Sequence, residues 1–446
     1  MSSHFHEQER EPMSKDNKNK LTSTEKKWIL YDVANSAFVL LATTLIPIFF
    51  NMVAGHAGLP SDKYLAYWGY TQSVATIISA IAGPVYGAFS DRKGMKKRLF
   101  LITVAMGSIA SLFLGLALQW LIFLVVFVIA RVAFNLSLVI YDSMLNDITT
   151  EDRIDDISSQ GYAWGYIGSV IPFIVCLALY VLSNQGIWAL PEQYAMAIGF
   201  ALTGLWWFFV SLPLIKVYKQ THYISEEEAK QKNAFQELGK SIKDAATDRK
   251  VGLFLLAFFF YIDGVYTIID MATAYGTSLG LDTVGLLAAL LVTQLVAFPS
   301  AIIIGRLSRT HEARNIILVC IVAYFFICLY GIQLDKLSEF WILAVAVGMF
   351  QGGIQAMSRS YFTKIIPAEK TGEYFGLYDI IGKGASFLGT AVVGFVADAT
   401  GHSNWGVGAL TLFFLIGGVL FYASFHEGKK GKKDAIPAEE PEQIEA

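Results

Sequence analysis

Charged and amide side chains interrupt several long apolar stretches of this sequence. The stretch KKWILYDVANSAFVLLATTLIPIFF, Lys26 to Phe50, carries Asp32 and Asn35, which are three residues apart and therefore share one face of a helix. Three further charges lie well inside other apolar stretches, namely Arg131, Asp263 and Lys383. A charge at the centre of a membrane helix costs about 2.5–3.5 kcal/mol on insertion scales, so it usually faces a water-filled cavity or a charged partner.

These charges suit the binding of a zwitterion. Arg131 and Lys383 place positive charge near the predicted midplane, and Asp32 and Asp263 place negative charge at a comparable or slightly inner depth. A solute carboxylate can pair with a guanidinium through two parallel hydrogen bonds, while its ammonium group meets a carboxylate. Hydrogen bonds to the ligand are expected from a second set of side chains, which are Asn35, Asn135, Tyr266 and Gln355.

Two competing interpretations remain open. The charges can pair with each other in the empty protein, and Asp32 in particular can balance Lys26, Lys27 or Arg131 and only stabilise helix packing. The amide and phenol groups are more often ordinary contacts between helices. The substrate-binding set is therefore a hypothesis about which of these side chains face a ligand.

Proton coupling, if present, requires a carboxylate. All seven histidines lie in tails, loops or the polar linker, so a histidine relay within the membrane is not expected. Asp263 and Asp32 are the first candidates to bind and release the proton, because burial within the membrane disfavours the charged form of a carboxylate.

The composition predicts that lipid surrounds most of the chain. The 446 residues are 54% hydrophobic and 16% charged, whereas soluble domains are about 25% charged. Apolar runs of about 20 residues, long enough to cross a bilayer as a helix, recur twelve times. The predicted spans are 28–53, 64–89, 99–118, 121–143, 160–183, 193–215, 250–278, 284–306, 314–333, 339–361, 373–398 and 404–425.

Basic residues predict the orientation. If the spans alternate, 30 of the 34 Lys and Arg residues fall on one side, and only Lys63 and Lys336 fall on the other. By the positive-inside rule both termini are then cytoplasmic, in a multi-pass protein of a cell inner membrane or plasma membrane. The net charge of −3 and the scattered basic residues predict no nucleic-acid partner.

A polar segment divides the twelve spans into two sets of six. The predicted organisation is a cytoplasmic tail, an N-terminal half, a linker, a C-terminal half and a second cytoplasmic tail, at 1–27, 28–215, 216–249, 250–425 and 426–446. The linker is either a solvated connector or an amphipathic helix at the membrane surface. The tails at 1–25 and 427–446 are predicted to be disordered, and no cleaved leader is expected at the N-terminus.

One loop carries a recognisable motif. GAFSDRKGMKKR, after the second span, resembles the G-x-x-x-D-R-x-G signature of major facilitator transporters at Gly87, Asp91, Arg92 and Gly94. Asp91 at a helix end can cap a neighbouring helix or pair with a cation, which predicts a gate between the halves. The alternative is a solvated loop whose basic residues set topology. The loop GRLSRTHEAR of the second half lacks the aspartate.

Other segments narrow the resemblance. WILYDVANSAF, GYAWGYIGS, YIDGVYTIIDMATAYG and GGIQAMSRSYFTKIIP are similar to the vacuolar-effluxer-like branch of the major facilitators, whose fungal members are implicated in exporting amino acids. The resemblance implies an all-α fold of two six-helix halves with spans 1, 4, 7 and 10 lining a central cavity. Asp32, Arg131 and Asp263 lie on that set. Gly161, Gly165 and Gly168 are expected at a sliding contact between the halves.

We therefore expect a secondary active transporter rather than an enzyme. Its expected partners are a small polar solute such as an amino acid or short peptide, a coupling proton and membrane lipid, and the expected state is a monomer. No cofactor is expected, because Ala234 breaks the phosphate-loop pattern before Gly239 to Ser241 and no metal-ligand spacing occurs. The alternatives are a flippase for lipids or amphiphiles and a transport-inactive receptor.

Overall fold

The computed structural model describes most of the chain between residues 20 and 426. Within these bounds 61–62, 117–118, 226–238, 240–241 and 246 are not described, nor are the side chains of 65–66, 273–274, 283–284, 287 and 383–387. Almost half of the predicted linker, and both predicted tails apart from residues 20–27 and 426, therefore lie outside the described residues. What is described is almost entirely α-helical.

Fourteen helices can be named within the described residues. The first eight are α1 (Ser23–Thr43), α2 (Leu45–His56), α3 (Tyr64–Ser90), α4 (Met95–Leu114), α5 (Trp120–Ser143), the short α6 (Leu145–Ile148), α7 (Ile154–Asn184) and α8 (Glu192–Val217). After the linker come α9 (Arg249–Ser278), α10 (Thr283–Leu307), α11 (Ala313–Gly331), α12 (Leu337–Ile365), α13 (Thr371–Thr400) and α14 (Ser403–His426).

Each predicted span overlaps one long helix or, at the start, a bent pair. Ten helices are long and apolar enough to cross a membrane, and α1 with α2 forms an eleventh candidate that bends by 42°. The remaining long helix, α13, covers predicted span 373–398, but the side chains of 383–387 within it are not described, and its described part Leu388–Thr400 is an apolar helix too short to cross a membrane by itself. The count of twelve therefore stays a prediction.

The first helix begins earlier than the sequence suggested. Thr22 and Glu25 form a capping box, in which each side chain accepts a hydrogen bond from the backbone N–H of the other residue. Glu25 is buried, and it also binds Arg153 at 2.8 Å and accepts a hydrogen bond from Thr149 at 2.7 Å. The prediction of disorder is therefore wrong for residues 22–25, because buried polar contacts hold this turn to the start of α7.

The long helices pack as two bundles that meet along four pairs of helices. Within the first bundle α1 packs against α7 and α8, and α4 against α5 and α8; within the second, α9 packs against α14 and α10 against α12. Contacts between the bundles run from α3 and α5 to α13, and from α7 to α10 and α12. We call the end of the molecule where α1 begins and α14 ends the terminal end.

Candidate functional site

Asp91 links the two bundles at the terminal end. It follows the last residue of α3 and is 2% exposed. Its Oδ1 accepts a hydrogen bond from the backbone N–H of Gly372 at 2.8 Å, and its Oδ2 accepts one from Glu373 at 2.9 Å. These N–H groups belong to the first turn of α13, where helix donors lack partners and the helix dipole favours an anion. A carboxylate of one bundle thus caps a helix of the other.

Two glycines allow this close approach, each by a different means. A Cβ on Gly87 would overlap the carbonyl of Gly372, so only glycine lets α3 reach α13 here. Gly94 has a φ of 72° and precedes α4, where a left-handed residue completes the tight turn. Arg92 instead lies against the ring of Phe89, with its guanidinium carbon 4.6 Å from the ring centroid. Of the four residues predicted for the gate, Asp91 and Gly87 contact the opposite bundle directly.

A buried lysine ties this contact to a second carboxylate. Lys96 is fully buried, and its Nζ lies 3.6 Å from Asp91 Oδ1 and 3.7 Å from Asp147 Oδ2. It also donates to the hydroxyl of Thr371, the first residue of α13, at 3.0 Å. The basic residue of the motif is therefore an internal counter-ion and not only a charge that sets topology.

Asp147 anchors the first residues of the linker. Its carboxylate accepts hydrogen bonds from Tyr218, from the hydroxyl of Thr221 at 2.6 Å and from the backbone N–H of His222 at 2.9 Å. Burial raises the pKa of this carboxyl group, but the hydrogen bonds from His222, Thr221 and Tyr218 and the charge of Lys96 outweigh burial and hold the pKa below its ordinary value. Asp147 therefore stays ionised at neutral pH, and its stabilising contribution is lost only as the pH falls below about 4.

Replacing Asp147 with asparagine is expected to loosen this anchor. Lys96 would lose one of two counter-ions inside the protein, which costs on the order of 3 kcal/mol when a buried pair is broken. We expect a lower unfolding midpoint in detergent and faster protease cleavage between residues 218 and 249. Asp335→Asn is the control, because Asp335 is exposed and its nearest cation, Lys336, is 3.9 Å away. Equal cleavage rates in wild type and Asp147→Asn would contradict the anchoring role.

The corresponding loop of the second half also connects the bundles, with the charges reversed. Arg309 binds Asp156 at 2.8 Å, in the first turn of α7, and a Cβ on Gly305 would press on Ser159. Nearby, Lys364 binds Asp155 at 2.7 Å. In the first loop a carboxylate binds the N-terminus of a helix, whereas in the second loop an arginine binds an acidic residue at the N-terminus of a helix. The second loop therefore connects the bundles although it lacks an aspartate equivalent to Asp91.

Arg359 of α12 forms a further buried connection between the bundles. Its guanidinium is 2% exposed and binds Asp142 Oδ1 at 2.9 Å, the Ser158 hydroxyl at 2.9 Å and the Ser158 carbonyl at 2.8 Å. Asp32 Oδ2 lies 3.6 Å from the same guanidinium. Sequence reasoning missed Arg359 because it lies close to the end of an apolar run, where it counts among the 30 basic residues of one side. Its position inside the predicted span 339–361 was the available signal.

The structure thus gives Asp32 a protein partner that the sequence had not suggested. Besides Arg359, Asp32 accepts a hydrogen bond from the hydroxyl of Tyr141 at 2.7 Å. Asn35 donates to the carbonyl of Tyr31 in its own helix at 3.0 Å and is 3% exposed. Asp142, the second-last residue of α5, also binds Arg359. The ion pairs at this level join the two bundles.

The glycines of α7 pack mainly within one bundle. A Cβ on Gly165 or Gly168 would press on Ser36 or Val33 of α1, and one on Gly161 would meet Asp32 and also Arg359. The expected sliding contact between the halves is therefore wrong for Gly165 and Gly168. Their role is to bring α1 close to α7, which positions the Asp32 side chain beside α12.

A second group of charges lies deeper. Arg131 is eleven residues into α5, about 17 Å along its axis, and the negative charges that act on it most strongly are those of Asp270 and Asp379. Its Nη1 is buried without a hydrogen-bond partner among the described residues. The neighbouring Asn135 donates to Ser79 at 2.9 Å, while its Oδ1 is likewise buried without a partner.

Asp263 does not share this location. It is fully buried in α9, and its Oδ1 accepts hydrogen bonds from Thr267 and from the backbone N–H of Gly389 in α13, both at 3.1 Å. Oδ2 has no hydrogen-bond partner within the described part of the chain. The structure therefore places Asp263 against α13 and not beside Arg131.

The other predicted residues are dispersed. Tyr266 lies beside α13 at Gly382, and Gln355 accepts a hydrogen bond from Tyr166 at 3.3 Å. The backbone of Lys383 is part of α13, but its side chain lies outside the described residues. The predicted set is thus divided between the ion pairs around Arg359, the group around Arg131 and the separate carboxylate Asp263.

A cavity of about 200 Å³ lies within the second bundle. Side chains of α9, α10, α12, α13 and α14 line it, and most of them are apolar. Thr267, whose hydroxyl binds Asp263, is at its edge, as is Gln351, whose Oε1 is buried without a hydrogen-bond partner. Among the described residues, no three His, Cys, Asp or Glu side chains are grouped to hold a metal ion.

Comparison with known proteins identifies the family. Residues 61–436 match the family model described as vacuole effluxer Atg22 like. The MFS-type transporter YxiO of Bacillus subtilis is 39% identical over 90% of this chain and 94% of its own length. Autophagy-related protein 22 of Kluyveromyces lactis is 23% identical over 76% of this chain and 74% of its own length.

Solved structures show the same fold. The proton:xylose symporter XylE has a TM-score of 0.69 at 13% identity and aligns over 90% of this chain and 95% of its own. The fucose:proton symporter FucP of E. coli has a TM-score of 0.68 at 15% identity, over 90% and 97%. These comparisons confirm the predicted all-α major facilitator fold and the resemblance to the vacuolar-effluxer-like branch. The chain is a multi-pass membrane transporter, not an enzyme, and it belongs to the vacuole effluxer Atg22-like family of major facilitators.

Proposed function

We propose that this protein is a secondary active transporter for a small zwitterionic solute, an amino acid or a short peptide, and that it works by alternating access. The terminal end is assigned to the cytoplasm of a cell inner membrane or plasma membrane, on the distribution of lysine and arginine. The bundles are closed against each other at this end by Asp91, Arg309 and Arg359. Transport requires these contacts to break and reform.

Arg131 is the observation that carries the substrate class. Its Nη1 has no hydrogen-bond partner among the described residues, although five donors of a guanidinium normally find acceptors when buried. Asp270 and Asp379 provide negative charge nearby. The carboxylate of a zwitterionic solute would pair with the positive charge of Arg131, and its ammonium group would pair with the negative charge of either aspartate. Asn135, with an unpartnered buried oxygen, could accept a further hydrogen bond from the ammonium group.

Replacing Arg131 with lysine is expected to weaken zwitterion binding strongly. Lysine keeps the charge but loses the planar pair of donors that matches a carboxylate, so a lost charge-assisted hydrogen bond would cost about 1.5–3 kcal/mol, or roughly 10- to 150-fold in affinity. Binding is measured as the ligand-dependent shift of the unfolding midpoint of purified protein. Retained affinity for every zwitterion that binds the wild type would contradict carboxylate recognition by Arg131.

Proton coupling is proposed to depend on Asp263 or Asp32. Asp263 is buried with one oxygen that has no partner among the described residues, and Thr267, which donates a hydrogen bond to Asp263, lines the cavity of the second bundle. Asp32 is neutralised by Arg359 when the terminal end is closed and loses that partner when the bundles separate. Either carboxylate would therefore change its affinity for a proton during the cycle.

The apolar cavity supports a second candidate substrate, an amphiphile. Its lining accepts an acyl chain more readily than a polar solute, and Gln351 offers one hydrogen-bond acceptor at its edge. A thermal-shift screen of purified protein against amino acids, peptides, sugars, nucleosides and lysolipids tests both candidates. Flux in proteoliposomes then separates a transporter from a receptor, and dependence on acyl-chain length identifies an amphiphile.

A further inference from the structure

The guanidinium of Arg359 lies inside a cage of aromatic rings. Its central carbon is 4.3 Å from the ring centroid of Tyr162, 4.9 Å from that of Trp28 and 5.7 Å from that of Tyr141. The carboxylates of Asp142 and Asp32 lie beside it at 2.9 and 3.6 Å. Aromatic faces combined with carboxylates are the usual means by which proteins bind ammonium and guanidinium groups. We call Trp28, Asp32, Tyr141, Asp142 and Tyr162 the cation cage.

All five residues of the cage come from the first bundle, whereas Arg359 comes from the second. Trp28 and Asp32 are on α1, Tyr141 and Asp142 on α5, and Tyr162 on α7. The cage is also held together without Arg359. The rings of Trp28 and Tyr141 stack with centroids 4.3 Å apart, and Trp28 Nε1 donates to the Tyr141 carbonyl at 3.2 Å. Tyr141 donates in turn to Asp32. Separation of the bundles would therefore leave a preformed cage.

Withdrawal of Arg359 would leave the carboxylates of Asp32 and Asp142 without a positive partner. Arg359 is the only cation that forms an ion pair with Asp32 or Asp142 among the described residues. Once α12 withdraws, two adjacent carboxylates remain in a largely apolar wall, which is costly unless a positive group enters. The cage lies close to the terminal end, since Trp28 is five residues into α1 and Asp142 is the second-last residue of α5.

We propose that the cation cage binds the organic ammonium or guanidinium group of the transported solute when the terminal end is open, and that Arg359 is a tethered competitor that takes its place on closing. This inference rests on the proposed transport by alternating access and deepens it, because it assigns the cationic part of the solute to a second location, distinct from Arg131. Exchange between Arg359 and the solute would couple release of the solute to closure of the terminal end.

The test uses purified full-length protein in detergent with methylguanidinium as the probe. Arg359→Ala empties the cage, so millimolar methylguanidinium should raise the unfolding midpoint of this variant, while equal concentrations of sodium chloride should not. At a probe concentration ten times its Kd, the folding equilibrium constant should rise about 11-fold. Adding Asp32→Asn to Arg359→Ala should weaken probe binding about tenfold or more, because one charge-assisted contact is lost.

Arg309→Ala is the matched control. It also removes an arginine from an ion pair between the bundles, but this pair joins Asp156 at the separate contact where Gly305 meets α7. The proposal is overturned if methylguanidinium stabilises Arg309→Ala as much as Arg359→Ala, or stabilises neither. It is also overturned if only acidification, and not the probe, stabilises Arg359→Ala, because the emptied cage would then take a proton.

A second measurement covers the case in which Arg359→Ala does not fold. Ser159 is fully buried where α7 meets Gly305 of α10, so a cysteine there reports separation of the bundles. In an otherwise wild-type chain, methylguanidinium should increase the rate at which Ser159→Cys is labelled severalfold, and an unchanged rate would overturn competition with Arg359. Neither measurement uses transport. If the wild-type protein shows no flux in a liposome assay, that result contradicts the proposed function. The two measurements above still test the cation cage, because they report binding and not transport.

Discussion

Replacing Gly87 with alanine is expected to prevent closure of the terminal end and to stop most transport. The added methyl group would overlap the carbonyl of Gly372, and a backbone atom cannot rotate away as a side chain can. Overpacking of this kind costs typically 1–3 kcal/mol, which shifts an open–closed equilibrium about 5- to 150-fold. The penalty applies only to the closed state, so the variant should fold and accumulate in the open state.

Labelling of Ser159→Cys in the Gly87→Ala background measures this shift, together with solute flux in proteoliposomes. Gly69→Ala is the control, because Gly69 lies inside the same helix α3 and a Cβ there meets no described atom within 4 Å. That variant should keep wild-type flux and gain up to about 1 kcal/mol of stability from the better helix former. Normal flux and unchanged labelling in Gly87→Ala would show that α3 and α13 need not touch during the cycle.

Replacing Asp263 with asparagine is expected to abolish accumulation driven by a pH gradient. Asparagine keeps the size of the side chain and can still accept the hydrogen bonds of Thr267 and Gly389, but it cannot bind and release a proton. Uptake against a gradient should fall to the equilibrium level. Exchange of labelled for unlabelled solute should survive, because exchange needs no net change in protonation.

The measurement compares uptake with and without an imposed pH gradient in the same proteoliposomes. Asp32→Asn is tested in parallel, since Asp32 is the other candidate for proton binding. Loss of accumulation in Asp263→Asn but not in Asp32→Asn would assign proton coupling to Asp263. Accumulation that persists in both variants would exclude coupling through these two carboxylates, and a sodium gradient would then be tested.

Local features of the sequence were sufficient for the helices and for part of the contact between the bundles at the terminal end. Each apolar run became a helix because hydrogen bonding within the backbone and the length of hydrocarbon to be crossed depend only on neighbouring residues. The motif from Gly87 to Gly94 indicated a capping aspartate, since glycine and aspartate have characteristic places at tight turns and helix ends. The residue that Asp91 caps lies 281 positions further along the chain, and nothing local indicated it.

Only the tertiary structure decided which charges meet. The sequence left Asp32 either facing a ligand or balancing Lys26, Lys27 or Arg131, whereas its partner in the structure is Arg359, because Gly161 and Gly165 bring α1 against α7 on the side where α12 approaches. Arg131 instead lies in the field of Asp270 and Asp379, and Asp263 faces α13. Hydropathy gives the depth of a residue along its helix, whereas its partner depends on how helices far apart in sequence rotate and pack.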